Sequence, residues 1–226
     1  MIDWNPLLIT FKLASITTIL LLVISIPLAY WLANTRSKIK PVAETLVSMP
    51  LVLPPTVIGF YMLLALSPSN AFGSWLDEWL GLRLVFSFEG LVLGSLIYSL
   101  PFMVHPIQAG FANLSPSLKH ASYVMGKSKF LTLTKVLLPN MKPSLITGII
   151  LAFAHTIGEF GVVLMIGGNL SGKTRVASIA IYDEVESLNY GAANTYSMIL
   201  FGITFLILMM VYLINGGYFK KWNGND

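Results

Sequence analysis

Five apolar stretches, each about as long as a bilayer is thick, dominate this chain of 226 residues. A helix needs about 20 apolar residues to cross the hydrocarbon core of a membrane. The chain is 55% hydrophobic and 11% charged, whereas soluble domains carry roughly 25% charged residues. We therefore predict an all-α integral membrane protein, one domain over residues 1–226, with five transmembrane helices at residues 8–33, 46–66, 90–110, 145–166 and 195–214.

Lysine and arginine are unevenly distributed between the two sets of connecting segments. Ten lie after the first span, between the third and fourth spans, and in the tail: Arg36, Lys38, Lys40, Lys119, Lys127, Lys129, Lys135, Lys142, Lys220 and Lys221. Three lie in the alternate segments: Arg83, Lys173 and Arg175. Because positive residues stay on the cytoplasmic side, this bias predicts an outside N-terminus and an inside C-terminus.

Helix-breaking residues interrupt several of these spans. Pro54 and Pro55 fall in the middle of the second span, and such breaks survive in a membrane where neighbouring helices or a water-filled cavity satisfy the freed backbone groups. Helix-end amides exposed there attract anions, so this segment is a candidate gate, although a kink used only for packing is the alternative. Residues 73–84, which include Trp75 and Trp79, are typical of an amphipathic helix on the outer interface.

The basic connection between the third and fourth spans predicts two short helices with a sharp corner, over about residues 113–142. Ser115 is suited to cap the first helix, with Pro116 at its first position. Gly126 can adopt the left-handed conformation that ends a helix, and Ser128 can cap the second. From residue types alone, an amphipathic loop resting on the membrane is the favoured interpretation.

This connection resembles the cytoplasmic motif of importer-class ABC permeases: Glu-Ala-Ala, three residues, Gly, nine residues, Ile, any residue, Leu-Pro. Three positions differ, because His120 replaces Glu, Ser122 replaces the second Ala and Val136 replaces Ile. The resemblance implies a type I ABC importer permease fold, whose hairpin docks into a groove on a separate ATPase subunit. The implied ATPase-coupling residues, at matching spacing, are His120, Ala121, Ser122, Gly126, Val136, Leu138 and Pro139.

A second segment resembles one group within the importer permeases, the oxyanion permeases. Gly158, Glu159, Phe160 and Gly161 are similar to the Gly-Glu-Phe-Gly signature of molybdate, tungstate and sulfate permeases, and residues 53–59 and 167–175 resemble the molybdate branch. This implies a multi-pass protein of the bacterial inner membrane that imports molybdate. The implied partners are a second copy in a homodimer, ATPase subunits that hold ATP and Mg²⁺, an extracytoplasmic oxyanion-binding protein and the lipid bilayer. No cofactor, metal or nucleic acid is expected on this chain.

Two ionisable residues lie within the fourth span. His155 and Glu159 are four residues apart, hence on one face of a helix, and such groups usually face a cavity or a partner inside a membrane. A hydrogen-bonded pair lining the pathway and a packing role near the gate both remain open. Gly158 and Gly161 are expected to allow close helix packing. The pathway or gate candidates are Pro54, Pro55, His155, Gly158, Glu159, Phe160 and Gly161.

Other functions fit the sequence less well. Gly167, Gly172, Lys173 and Thr174 match a phosphate-binding loop, but that pattern needs a soluble strand-loop-helix unit, so we interpret it as coincidence. A tungstate, sulfate or thiosulfate permease is the alternative within the family. A stand-alone channel or secondary transporter would be expected to show paired repeats, which this sequence does not have. A membrane enzyme would need a catalytic group of residues, and the sequence shows none. The chain is therefore not expected to be an enzyme.

Overall fold

Three long helices form the frame of the molecule. The computed structural model describes residues 3–215, and three of its helices are long and apolar enough to cross a bilayer: α1 (Asn5–Asn34), α5 (Phe88–Asn113) and α12 (Tyr190–Asn215). They correspond to the first, third and fifth predicted spans. Over the described residues the all-α prediction is confirmed.

The second predicted span is bent rather than straight. It comprises α2 (Lys40–Ser48), a 3₁₀ turn (Met49–Leu51) and α3 (Pro55–Leu66), with an angle of 109° between its two halves. Pro54 is extended, with ψ of 136°, directly before α3. Proline lacks an amide hydrogen and disfavours a helical residue before it, so the predicted break at Pro54 and Pro55 is confirmed.

The fourth predicted span is also discontinuous, and our expectation of one stretch over residues 145–166 is wrong in this respect. Helix α9 (Lys142–Gly158) stops at Gly158, because Glu159 is extended with ψ of 134°. The chain then resumes as α10 (Gly161–Gly167). Before α9, the segment Lys129–Asn140 meets it at 81°. The described residues reach five spans only if each of the two bent pairs counts as one.

The connections contain shorter helices. On the side opposite the basic loop lie α4 (Ala71–Leu80) and α11 (Ala177–Glu186). Helix α4 ends earlier than the predicted residues 73–84, since Gly81 takes a left-handed φ of 63°. The basic connection forms α6 (Pro116–Val124), α7 (Lys129–Thr132), a π-helical segment (Leu133–Leu137) and α8 (Leu138–Asn140). Lys220 and Lys221, used to orient the C-terminus, lie outside the described residues.

Helix α1 is central to the packing and contacts α5, α9 and α11. One buried apolar cluster joins α1 to α3, α5, α10 and α11 through Leu13, Ile58, Leu91, Val162 and Ile179. A second joins α1 to α5 and to the segment before α9 through Leu21, Leu32, Met103, Ile107 and Met141. The two clusters bring both helix breaks against α5, which positions the candidate gate.

Candidate functional site

The basic connection folds as the helical hairpin that local sequence signals predicted. The Ser115 hydroxyl accepts a hydrogen bond from the Ser117 amide at the start of α6. Gly126 has a φ of +75° and donates its amide to Tyr123 O at 2.9 Å. The Ser128 hydroxyl then accepts from the Leu131 amide at 3.2 Å. These contacts confirm the two caps and the glycine corner.

One buried hydrogen bond joins the two arms of this hairpin. The hydroxyls of Ser122 on α6 and Thr132 on α7 lie 2.8 Å apart, and both residues are almost completely buried. An alanine at position 122, as in the family motif, could not make this contact. Ser122, which differs from the family motif, therefore holds α6 against α7. Of the other coupling candidates, Val136 and Leu138 are half-buried and Pro139 is exposed.

The corner of the hairpin presents apolar side chains to the outside. Val124 is 88% exposed, Met125 67% and Phe130 75%. Lys127 and Lys129 lie between them in the chain and are also exposed. Grouped exposed apolar residues with charged neighbours commonly mark a surface for a protein partner.

A single residue at the second helix break is bonded to two other helices. The Ser95 hydroxyl on α5 donates to Glu159 Oε2 at 2.7 Å. The Ser178 hydroxyl on α11 donates to the backbone carbonyl of Glu159 at 2.6 Å. Glu159 is only 3% exposed, and its Oε1 has no hydrogen-bond partner among the described residues. Such an unpaired buried atom calls for an explanation, either in strain or in function.

His155 is held separately from Glu159. Its Nδ1 lies 2.9 Å from the Ser99 hydroxyl, and its ring stacks on Phe102 with centroids 3.9 Å apart. A direct hydrogen bond between His155 and Glu159 is one of the two interpretations that the sequence left open, and the structure does not contain it. The reason is that α9 ends at Gly158, so Glu159 leaves the helix face that spacing of four residues had assumed.

The two glycines of the signature differ in their surroundings. A Cβ on Gly161 would lie 2.7 Å from Pro55 Cβ, so Gly161 does allow the two helix breaks to approach each other. A Cβ on Gly158 would have no atom within 4 Å. Within this chain, Gly161 is thus in close contact with the other helix break, whereas Gly158 is not, and a packing role for either glycine stays a prediction.

A cavity of about 430 Å³ brings most of the gate candidates together. It is lined by Pro55, His155, Gly158, Glu159, Phe160 and Gly161, together with Thr56, Tyr98 and Ala154. Two serines that bond to these residues, Ser95 to Glu159 and Ser99 to His155, were not among the predicted site residues. Ser95 and Ser99 are four residues apart in an apolar span, a spacing that places both on one helix face and could have indicated them.

The glycine-rich connection after α10 has an internal structural role. Val162 to Ile166 lie within α10 rather than in a strand, so the architecture of a phosphate-binding loop is not present. The buried Thr174 hydroxyl donates to Gly167 O at 2.7 Å and accepts from the Leu170 amide at 2.9 Å. This supports the interpretation of the match as coincidence, since Thr174 closes its own loop.

Comparison with known proteins identifies the family. The family model described as "Binding-protein-dependent transport system inner membrane component" matches residues 25–222. The chain belongs to this family. As a member of it, the chain is a multi-pass transport protein of the inner membrane, which agrees with its apolar helices.

Two relatives and one solved structure are similar to this inner membrane component over most of its length. The molybdenum transport system permease protein ModB of Azotobacter vinelandii is 45% identical over 213 residues, covering 93% of each chain. The ModB protein of Haemophilus influenzae is 30% identical, covering 88% of this chain and 85% of that protein. A bacterial ABC transporter involved in alginate import has a TM-score of 0.78 at 17% identity, covering 93% of this chain and 78% of that chain. That last similarity shows the fold alone.

Proposed function

We propose that this chain is the membrane-spanning permease subunit of an ATP-driven importer for molybdate. The observation that carries the proposal is the 45% identity to a molybdenum permease over 93% of both chains. Tungstate, sulfate and thiosulfate are oxyanions of the same class, so the experiment below includes them. The chain itself catalyses no reaction, because ATP and Mg²⁺ bind to a partner ATPase.

The proposed assembly is a homodimer with five spans in each copy, an outside N-terminus and an inside C-terminus. The ten basic residues of the cytoplasmic segments against three outside support this orientation. Two ATPase subunits bind on the inside, and an extracytoplasmic oxyanion-binding protein delivers substrate on the outside. Helix α4, with Trp75 and Trp79, and the connection at residues 167–194 face that binding protein.

The hairpin at residues 113–142 transmits motion from the ATPase. Its exposed corner, formed by Val124, Met125 and Phe130, supplies apolar anchors for a groove on that subunit. The buried Ser122–Thr132 contact keeps the two arms together. A movement of the corner is therefore passed to α9, which follows the hairpin directly in the chain.

The two helix breaks form the gate of the pathway. Pro55 and Gly161 are in close contact, and both line the cavity that also contains His155 and Glu159. Non-helical backbone at membrane depth is tolerated where it is buried in protein or lines a cavity. Glu159 holds the break in place rather than binding the anion, because like charges repel in a medium of low dielectric constant.

The function is tested by reconstituting the chain in liposomes with its ATPase and binding protein. We expect uptake of molybdate, with ATP hydrolysis stimulated by the molybdate-loaded binding protein. Uptake of sulfate in preference to molybdate would reassign the substrate, and uptake without any ATPase would refute the importer proposal.

The orientation is tested by labelling single cysteines, for which the chain offers a clean background because it contains no cysteine. Lys127→Cys is expected to react only with reagents that reach the cytoplasm, and Lys173→Cys only from the outside. The reverse pattern would contradict both the orientation and the proposed site of ATPase binding.

The coupling role is tested with Gly126→Pro. Proline cannot adopt the φ of +75° or donate the amide that bonds Tyr123 O. We expect the variant to insert in the membrane but to lose coupling between ATP hydrolysis and uptake. The control is Gly172→Ala, which alters another left-handed glycine, but in the outer connection and away from the hairpin. We expect this control to keep normal coupling. Normal coupling in Gly126→Pro would refute the assignment.

A further inference from the structure

A second cavity, of about 440 Å³, lies where the ends of α1 and α5 meet the first helix of the hairpin. Buried apolar residues, Phe111 and Leu137, form part of its lining. The rest of the lining combines further apolar residues with a group of polar ones. Its polar lining residues are Tyr30, Asn34, Ser115, Lys119, His120 and Tyr123.

A partly buried lysine contacts only neutral groups in this cavity, among the residues that the structure describes. Lys119 Nζ donates to Asn34 Oδ1 at 3.2 Å and lies 5.4 Å from the centre of the Tyr30 ring. Lys119 forms no ion pair with a carboxylate in the part of the chain that the structure describes. Its positive charge is therefore oriented but not neutralised.

The other ionisable groups in the lining do not supply a negative charge. His120 occupies the motif position where the family has glutamate, so this chain lacks the carboxylate that the motif would place there. Partial burial raises the pKa of the Tyr123 phenol, with a further contribution from Tyr30 and an opposing one from Lys119. Tyr123 thus stays neutral at physiological pH and can act as a hydrogen-bond donor.

The position of the cavity matches the headgroup depth of a membrane. The spanning helices α1 and α5 end here, at Asn34 and Asn113. Trp31, near the end of α1, is 40% exposed, and tryptophan is enriched at membrane interfaces. Arg36 and Lys38 follow directly in the chain. The exposed corner around Val124 and Phe130 is a separate surface, because neither residue lines the cavity.

We infer that this cavity binds a phosphate-type oxyanion, presented either by the headgroup of an anionic phospholipid or as a free ion. The Lys119 ammonium and the Tyr123 hydroxyl would contact its oxygens. Basic pockets between membrane helices on the cytoplasmic side are a known arrangement for anionic headgroups. The cytoplasmic location rests on the orientation proposed above, but the binding chemistry does not.

The inference is tested on the full chain, purified without its partners. One arm titrates delipidated protein with phosphatidylglycerol and counts bound lipid by native mass spectrometry, with phosphatidylcholine as the uncharged comparison. The other arm titrates inorganic phosphate and molybdate into protein held in phosphatidylcholine nanodiscs, followed by calorimetry. Lipid binding alone assigns the site to a headgroup, and binding of the small anions assigns it to a free ion.

Three single variants test whether the lipid or the small anion binds in this cavity. We expect Lys119→Gln to weaken binding about tenfold, the size expected for the loss of one charge-assisted hydrogen bond to the anion. Lys135→Gln removes the same charge from an exposed position of the same hairpin and is expected to bind normally. His120→Glu, which restores the family carboxylate, should weaken binding by like-charge repulsion even if Lys119→Gln proves unstable.

Two results would overturn the inference. One is the absence of selective binding in both arms. The other is an equal loss of binding in Lys119→Gln and Lys135→Gln, which would indicate a diffuse surface charge instead of a site. Neither assay uses the ATPase, the binding protein or transport, so these outcomes leave the proposed import function untouched.

Discussion

The contact between Ser95 and Glu159 gives the sharpest test of how the second helix break is held. Replacing Ser95 by alanine removes the donor to Glu159 Oε2, and Oε1 already lacks a partner among the described residues. The carboxyl group would then be buried with neither oxygen bonded, a state that costs about 1–3 kcal/mol. Interhelical hydrogen bonds in membranes contribute only about 0.6 kcal/mol on average.

A double-mutant cycle can distinguish the cost of an unpaired buried carboxyl group from the smaller average contribution of an intramembrane hydrogen bond. Ser95→Ala, Glu159→Ala and the double variant are compared by equilibrium unfolding in mixed micelles. We expect a coupling free energy of about 1–2 kcal/mol, above the average for intramembrane hydrogen bonds and within the range for residues in direct contact. The reason is that Ser95→Ala leaves an unsatisfied carboxyl group only when Glu159 is present.

A matched control comes from the next turn of α5. The Ser99 hydroxyl is bonded to His155 and Thr156 instead of Glu159. Ser99→Ala combined with Glu159→Ala should therefore be additive within about 0.5 kcal/mol. Additivity in the Ser95 cycle as well would refute the idea that Ser95 holds Glu159, and with it the role of Glu159 in positioning the break.

Three further changes test neighbouring features. Gly161→Ala places a Cβ 2.7 Å from Pro55 Cβ, so it should lower the free energy of unfolding by about 1–3 kcal/mol and slow uptake. Gly158→Ala, whose Cβ has no atom within 4 Å, should do neither. Ser122→Ala leaves the buried Thr132 hydroxyl without its partner across the hairpin and should destabilise the protein by about 1 kcal/mol in thermal unfolding; Thr132→Val in addition should recover part of that loss. Asn169→Gly keeps the left-handed backbone at φ +57° but removes the amide bonded to an aspartate and an arginine, so hydrogen exchange in the outer connection should become faster, and an unchanged rate would count against that network.

The hairpin could be predicted from sequence because its signals are local. Ser115, Gly126 and Ser128 each act on a backbone group within three residues, so spacing alone specifies the caps and the corner. The break at Pro54 is equally local, since proline removes a donor wherever it lies. The structure follows these predictions closely.

The geometry around Glu159 could not be predicted in the same way. Nothing in the fourth span resembles a proline break, and a regular helix would have placed His155 and Glu159 together. The break is instead compensated by residues distant in sequence: Ser95 lies 64 positions away and Ser178 lies 19. A pattern confined to one span carries no information about such partners, although the spacing of Ser95 and Ser99 indicated a polar face on α5.

The same contacts supply a route by which an event on one side of the membrane would reach the proposed gate. An extended residue in lipid leaves backbone groups unbonded, and each costs several kcal/mol unless a neighbour satisfies it. At Glu159 that neighbour for the carbonyl is Ser178 on α11, in the proposed receptor-facing connection. A shift of α11 must therefore either carry the break with it or leave the carbonyl unpaired, and the second outcome is the more costly. Because Gly161, two residues later, is packed against Pro55, moving the break also moves it relative to the other half of the gate. Ser178→Ala should consequently weaken the stimulation of ATP hydrolysis by the loaded binding protein while leaving unstimulated hydrolysis unchanged; equal stimulation in Ser178→Ala and the unaltered chain would show that the signal takes another route.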